Sequence, residues 1–169
     1  MKKQVKSELH SGDIELALAR HLNVNQNVIV PNISWGLHLH EIDLLVLTQS
    51  GYAWEIEIKI SLSDLKADKK KHHQHFSNKI KRLYFAVPIE LQEQALTLIP
   101  ERAGLFVVGG KAYRGGVAVQ LIKAPQINIQ ARPFNPEEIN HLYKLATLRM
   151  WNLKEIVYRL CRELNEKKK

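Results

Sequence analysis

His38–Lys59 reads HLHEIDLLVLTQSGYAWEIEIK. Two alternating runs, His38–Thr48 and Tyr52–Ile60, flank a Gln49-Ser50-Gly51 link. A short glycine-containing link between such runs predicts a β-hairpin. Strand side chains alternate with period two. Trp54, Ile56, Ile58 and Ile60 therefore share one face of the second run, and Glu55, Glu57 and Lys59 share the other. In the first run Glu41, Asp43, Leu45 and Leu47 lie opposite Ile42, Leu44 and Val46. Asp43 thus sits inside an apolar stretch, where an unpaired carboxylate costs several kcal/mol, an order-of-magnitude figure, unless a cation or donor compensates it. Antiparallel pairing sets Asp43 towards Glu57 and Lys59. Two carboxylates and an ammonium on one patch suit a hard divalent cation such as Mg²⁺, bound through carboxylates, waters and phosphate oxygens. A lysine beside such an ion holds or deprotonates the attacking water and offsets charge in a transition state. Without Asp43, the Glu-x-Glu-x-Lys pattern reads equally as a charged, solvent-facing strand.

Composition sets the frame around this hairpin. A chain of 169 residues, 45% hydrophobic and 25% charged, is long enough to bury a sizeable core as one globular domain. The net charge of +8 favours polyanionic partners. One cysteine, Cys161, excludes an internal disulfide and a four-cysteine zinc site, and fits a reducing compartment. No apolar run approaches the ~20 residues of a membrane span, and the basic start lacks the apolar stretch of a signal peptide. These features together suggest a cytoplasmic protein.

Upstream, Ile14, Leu18 and Leu22 recur at helical spacing, with Ser11 or Asp13 as the expected cap and Glu15 beside the stripe. Val28–Trp35 reads as a strand that Pro31 confines to an edge or breaks. His38 and His40 fall, by alternation, on the face opposite Asp43. Spacing places no third metal ligand for them, and His40 reads as a phosphate contact or a strand cap.

Downstream, Ser61 or Ser63 caps a helix whose Asp64, Asp68 and His72 share a face. Lys66, Lys69, Lys70, Lys71, Lys79, Lys81 and Arg82 make this the densest basic segment, as phosphate binding requires. His72, His73 and His75 read as a surface cluster or a weak metal signal. Leu83–Val87 and Gly104–Gly109 are apolar enough for buried strands, with a short amphipathic helix over Glu90–Ile99 between them. Tyr113–Ile122 fits a hairpin or two short strands. Asn135-Pro136-Glu137-Glu138 starts a helical region continuing to Leu164, which Asn152 divides in two. Strands alternating with helices indicate an α/β fold.

Asp43 followed by Glu57-Ile58-Lys59 resembles the PD-(D/E)XK nuclease superfamily. Within it, EIKISLSDLKADKKKHHQH, then IKRLYFAVP and Pro100-Glu101-x-Ala103-Gly104-Leu105, resemble the MmcB-like DNA-repair group over roughly Ile14 to Gly109. Ile42 stands where the superfamily's name has proline. The resemblance implies a restriction-endonuclease-like mixed sheet flanked by helices. Its core would be α-β-β-β-α-β over about 11–124, with a C-terminal helical extension over about 135–165. It implies a metal-dependent DNA endonuclease acting in repair or processing. Asp43, Glu57 and the Ile58 carbonyl would hold Mg²⁺ or Mn²⁺, and Glu15 would add a contact through water. Lys59 would position the attacking hydroxide, with His40, Asp64 and Lys69 in a second tier. DNA is the expected partner, and a homodimer is compatible with this reading. The competing expectations are a nuclease-fold module that binds nucleic acid with little or no cleavage, and a structural protein whose charge serves only solubility.

Overall fold

The computed structural model describes residues 8–34, 36–68, 75–112 and 116–167. Among the described residues, six strands form one mixed sheet in sequence order: β1 (Val28–Ile33), β2 (Ile42–Leu47), β3 (Ala53–Ile58), β4 (Ile80–Pro88), β5 (Gly104–Lys111) and β6 (Val117–Lys123). The helices are α1 (Ser11–His21), α2 (Leu62–Asp68), α3 (Gln92–Leu98, after a 3₁₀ turn at Ile89–Leu91) and α4 (Pro136–Glu166). This is the expected α-β-β-β-α-β core, continued by α3, β5, β6 and α4. Strands β1, β2 and β3 pair antiparallel, β3–β4 and β4–β5 pair parallel, and β6 returns antiparallel. Parallel pairs need covered crossovers, and α2 and α3 supply them. Pro31 lies in β1, an edge strand, where its missing N–H disrupts no interior ladder.

Strand alternation divides the core. On one face Leu44, Val46, Ile56 and Ile58 pack with Tyr84, Ala86, Phe106 and Val108 against Ile14, Ala17 and Leu18 of α1. On the other face two apolar clusters form. One lies under α4 and includes Leu45, Leu47, Ala53, Leu142 and Leu145. The other lies under α2 and α3 and includes Leu65, Leu83, Phe85, Ala95 and Leu105. Burying one such side chain is worth about 1.5–3 kcal/mol, so these layers fix the height of each strand residue above its helix.

The hairpin is shorter than its two runs. The β2–β3 link spans Thr48–Tyr52, where Gly51 has φ +78°, a left-handed conformation that L side chains rarely adopt. Residues 38–41 are not strand, and His38 has φ +52°. The cap of α1 also differs from expectation. Helix α1 begins at Ser11, and the Asp13 carboxylate reaches back to accept the His10 N–H (2.9 Å). At α4 the cap is as expected: Asn135 Oδ1 accepts the Glu138 N–H (2.8 Å), with Pro136 in the first turn.

Asn152 does not divide the C-terminal region. Helix α4 runs unbroken for 31 residues, because asparagine merely lowers helix propensity and good helix formers flank it. Its first half packs on the sheet through Leu142 and Leu145. Beyond Leu145 the apolar Met150, Trp151, Leu153 and Tyr158 are exposed, so only half of the extension covers the core.

Candidate active site

The β2–β3 register pairs Leu44 with Ile56 and Leu45 with Glu55; one step further, Asp43 comes opposite Glu57. Asp43 is the second residue of β2 and Glu57 the second-last of β3, so both carboxylates stand at one end of the sheet. Lys59 follows β3 directly, its backbone N–H held by the Ala86 carbonyl of β4 (3.0 Å). Its Nζ donates to Glu57 Oε2 (2.6 Å) and lies 3.5 Å from Asp43 Oδ2 and 3.4 Å from Asp68 Oδ1. Asp43 Oδ2 also accepts the Ile58 N–H (2.8 Å), which fixes the carboxylate against β3.

Glu57 is 1% and Lys59 8% exposed, so the Glu-x-Glu-x-Lys pattern is no solvated stripe. The Asp43 side chain keeps 36% exposure and marks the opening to solvent. Burial alone would lower the pKa of Lys59, but the charges of Glu57, Asp43 and Asp68 and the Glu57 hydrogen bond raise it. The amine is therefore a permanent cation. Glu15 of α1 is half-buried, and burial together with the charge of Asp43 raises its carboxyl. The first helix thus brings Glu15 within electrostatic reach of the site.

Other expected residues stand elsewhere. Asp64 is exposed in the first turn of α2, its N–H capped by Ser61 Oγ (3.2 Å). One turn on, Asp68 is buried and faces Lys59. Lys66 is exposed on the same helix. Lys69, Lys70, Lys71, His72 and His73 lie outside the described residues. Lys79, Lys81 and Arg82 cluster around the start of β4, where Ile80 pairs with Ala53 at the start of β3. Four strand steps separate Ala53 from Glu57, which puts this end about 13 Å from the carboxylates at ~3.3 Å per residue. Lys79 is also committed within the fold, donating to the Leu37 carbonyl (2.6 Å) and pairing with Glu138 (2.8 Å). Lys81 and Arg82 lie over the rings of Tyr52 and Trp54.

His40 does not lie opposite the site face. Strand β2 begins only at Ile42, so alternation does not extend back to His40, whose Nε2 meets Glu55 Oε1 at 2.7 Å. Glu55 is fully buried, and its Oε1 also meets His75 Nδ1 (2.5 Å). His75 Nε2 in turn meets Asp68 Oδ2 (2.9 Å). Burial would raise the Glu55 pKa, but the two histidine hydrogen bonds win and lower it. Burial opposes charge on His75 as well, yet the hydrogen bonds it donates to Asp68 and Glu55 hold its pKa up at about 9. A polar vein thus runs Asp43–Lys59–Asp68–His75–Glu55–His40 between two apolar clusters. A cleft of about 410 Å³ lined by Asp68, His75, Phe76, Phe85 and Arg102 flanks it.

Hard carboxylate oxygens opposed across adjacent strands, with solvent access at Asp43, fit a small divalent cation. Asp43 and Glu57 are its natural holders, with Glu15 in reach.

The Glu55 partners were harder to foresee than the catalytic candidates. Alternation placed Glu55 beside Glu57, but the sequence carries no signal that His75, on another segment, turns inward. No helix among the described residues is long and apolar enough to cross a membrane.

Comparison with known proteins agrees with this architecture. One solved structure that is similar to the chain is a protein of unknown function from Silicibacter pomeroyi. That match has a TM-score of 0.61 and 24% identity, covering 89% of this chain and 93% of that one, a likeness of fold. No curated protein matches the sequence. The family described as DNA repair protein MmcB-like matches residues 12–133, which span every element from α1 through β6 and hold Asp43, Glu57 and Lys59. The chain belongs to this MmcB-like family of DNA repair proteins.

Proposed function

We propose that the protein is a metal-dependent DNA endonuclease of the PD-(D/E)XK type that hydrolyses phosphodiester bonds during repair. The observation that carries this reading is the meeting of Asp43, Glu57 and Lys59 at one end of the sheet, with Glu57 buried and Asp43 open to solvent. Asp43, Glu57 and the Ile58 carbonyl are the groups that would hold Mg²⁺ or Mn²⁺. Such an ion, when bound, lowers the pKa of water and polarises the phosphate.

The remaining roles belong to the chain. Asp43, fixed by the Ile58 N–H, and Glu57, fixed by Lys59, are preorganised before any ligand arrives. Because its neighbours hold Lys59 protonated, its ammonium acts as a donor, not as a base. It orients the attacking water and offsets the charge that grows on the phosphoryl oxygens. Glu15, its carboxyl pKa raised by burial and by the charge of Asp43, is the group suited to receive the water's proton. Asp68 steadies Lys59 from behind (3.4 Å).

The test is incubation of pure protein with plasmid, single-stranded and branched DNA in Mg²⁺ or Mn²⁺, beside Asp43→Ala and Lys59→Ala. Metal-dependent cutting that falls about 100-fold or more in both variants supports the assignment, by the scale of losing one transition-state contact. Cutting that both variants retain at full rate rejects it. Salt-sensitive DNA retention with no cutting under any condition would mark a binding module instead.

A further inference from the structure

The polar vein extends past the residues that the nuclease reading uses. His40 Nε2, Glu55 Oε1 and His75 Nδ1 converge, with all three donor atoms within 4.8 Å of one another. They come from three separate segments: the approach to β2, the middle of β3 and the lead-in to β4. Two imidazole nitrogens directed at one carboxylate oxygen need positive charge between them, either as protons or as a metal cation. Among the described residues, the second oxygen, Glu55 Oε2, is fully buried with no hydrogen-bond partner. A buried carboxylate oxygen left in that state costs about 1–3 kcal/mol unless something fills its coordination.

The outer contacts point the same way. His75 meets Asp68 Oδ2 through Nε2, leaving Nδ1 directed at Glu55. A carboxylate behind an imidazole is the arrangement that orients a metal-bound histidine and selects which ring nitrogen faces the metal. The donor set is borderline in softness, two nitrogens and a carboxylate, and so prefers Zn²⁺ and its neighbours over Mg²⁺. Side-chain exposures of 10% for His40, 0% for Glu55 and 2% for His75 make the pocket an enclosed one.

We propose that His40, Glu55 and His75 form a transition-metal site distinct from the Asp43–Glu57 pair, with Glu55 Oε2 available as a fourth donor and Asp68 orienting His75. Its chemical class is a divalent first-row ion of the zinc type. It clips three segments together behind Lys59. It stands apart from the nuclease reading, since none of its three ligands is used there.

The experiment titrates chelator-stripped full-length protein with Zn²⁺, and with Co²⁺ for its visible absorption, and follows thermal unfolding without DNA. Wild type and Asp43→Ala should each bind one equivalent and gain thermal stability. His40→Ala should bind at least about tenfold more weakly and gain none, and Asp68→Asn should bind about 10–100-fold more weakly. His40 is the ligand nearest the surface, so its removal tests the site even where His75→Gln fails to fold; circular dichroism reports the fold of each variant. Wild type that takes up Zn²⁺ no more tightly than His40→Ala would overturn the proposal. So would uptake lost in Asp43→Ala but kept in His40→Ala, which would place the ion at the other carboxylates. The outcome is read independently of Mg²⁺-dependent cleavage, so either idea can fail alone.

Discussion

Replacing Lys59 with methionine keeps the aliphatic stem and removes only the ammonium. Glu57 and Asp68, both nearly inaccessible, then lose the cation at 2.6 and 3.4 Å. Breaking a buried ion pair costs about 3–5 kcal/mol. A second limit applies, because the variant can escape by protonating one carboxylate. For an ordinary glutamate of pKa ~4.3, holding a proton at pH 7 costs about 2.7 units at 1.36 kcal/mol each, or about 3.7 kcal/mol. The expected loss at pH 7 is therefore about 3–4 kcal/mol. At pH 5 the same escape costs about 1 kcal/mol, so the variant should recover most of its stability there. The sign follows from linkage: the folded variant binds the extra proton, so its stability falls as pH rises. Urea unfolding of wild type and Lys59→Met at both pH values measures the difference. A loss below about 1 kcal/mol at pH 7, or an equal loss at both pH values, would mean that the carboxylates are solvated and that the argument from buried charge is wrong.

Three further outcomes are expected. The Arg132 and Lys79 contacts hold the Glu138 carboxyl at about 2, so its stabilising effect is present above the usual carboxylate range and lost as pH falls towards 2. Glu138→Gln should lower Tm at pH 7 and show a smaller further drop between pH 5 and pH 2.5 than wild type, measured by thermal scans. Leu142→Ala, at a fully buried contact of α4, should cost about 2–5 kcal/mol in denaturant unfolding. For DNA affinity, Lys66→Ala should weaken binding and reduce the salt slope by about one, whereas Lys81→Ala should leave both within about twofold in gel-shift titrations, because Lys81 sits at the far end of the sheet.

The α/β order, the edge position of β1 and the opposition of Asp43 to Glu57 were legible because each depends on local pattern: period two in strands, 3.6 in helices and proline's missing donor. The same parity put Glu55 beside Glu57. It did not reveal that Glu55 is sealed from solvent, since that depends on His75, 20 residues away, folding back under β3. Alternation does not place His40, because residues 38–41 lie outside strand β2, which begins at Ile42. Asp64 and Asp68 occupy the same helical stripe, and only the docking of α2 decides which one faces inward. Lys79 looked like a phosphate contact until Glu138, 59 positions on, claimed it. Residues whose roles depend on local periodicity could be read from sequence, and residues whose roles depend on long-range closure could not.

The most direct measurement is an anomalous difference map from a crystal soaked in Mn²⁺. The account predicts a peak about 2.1 Å from carboxylate oxygens of both Asp43 and Glu57, the range of a small hard cation. A soak at saturating Mn²⁺ that leaves no peak at Asp43 and Glu57, with Lys59 still seated against both carboxylates, would contradict it.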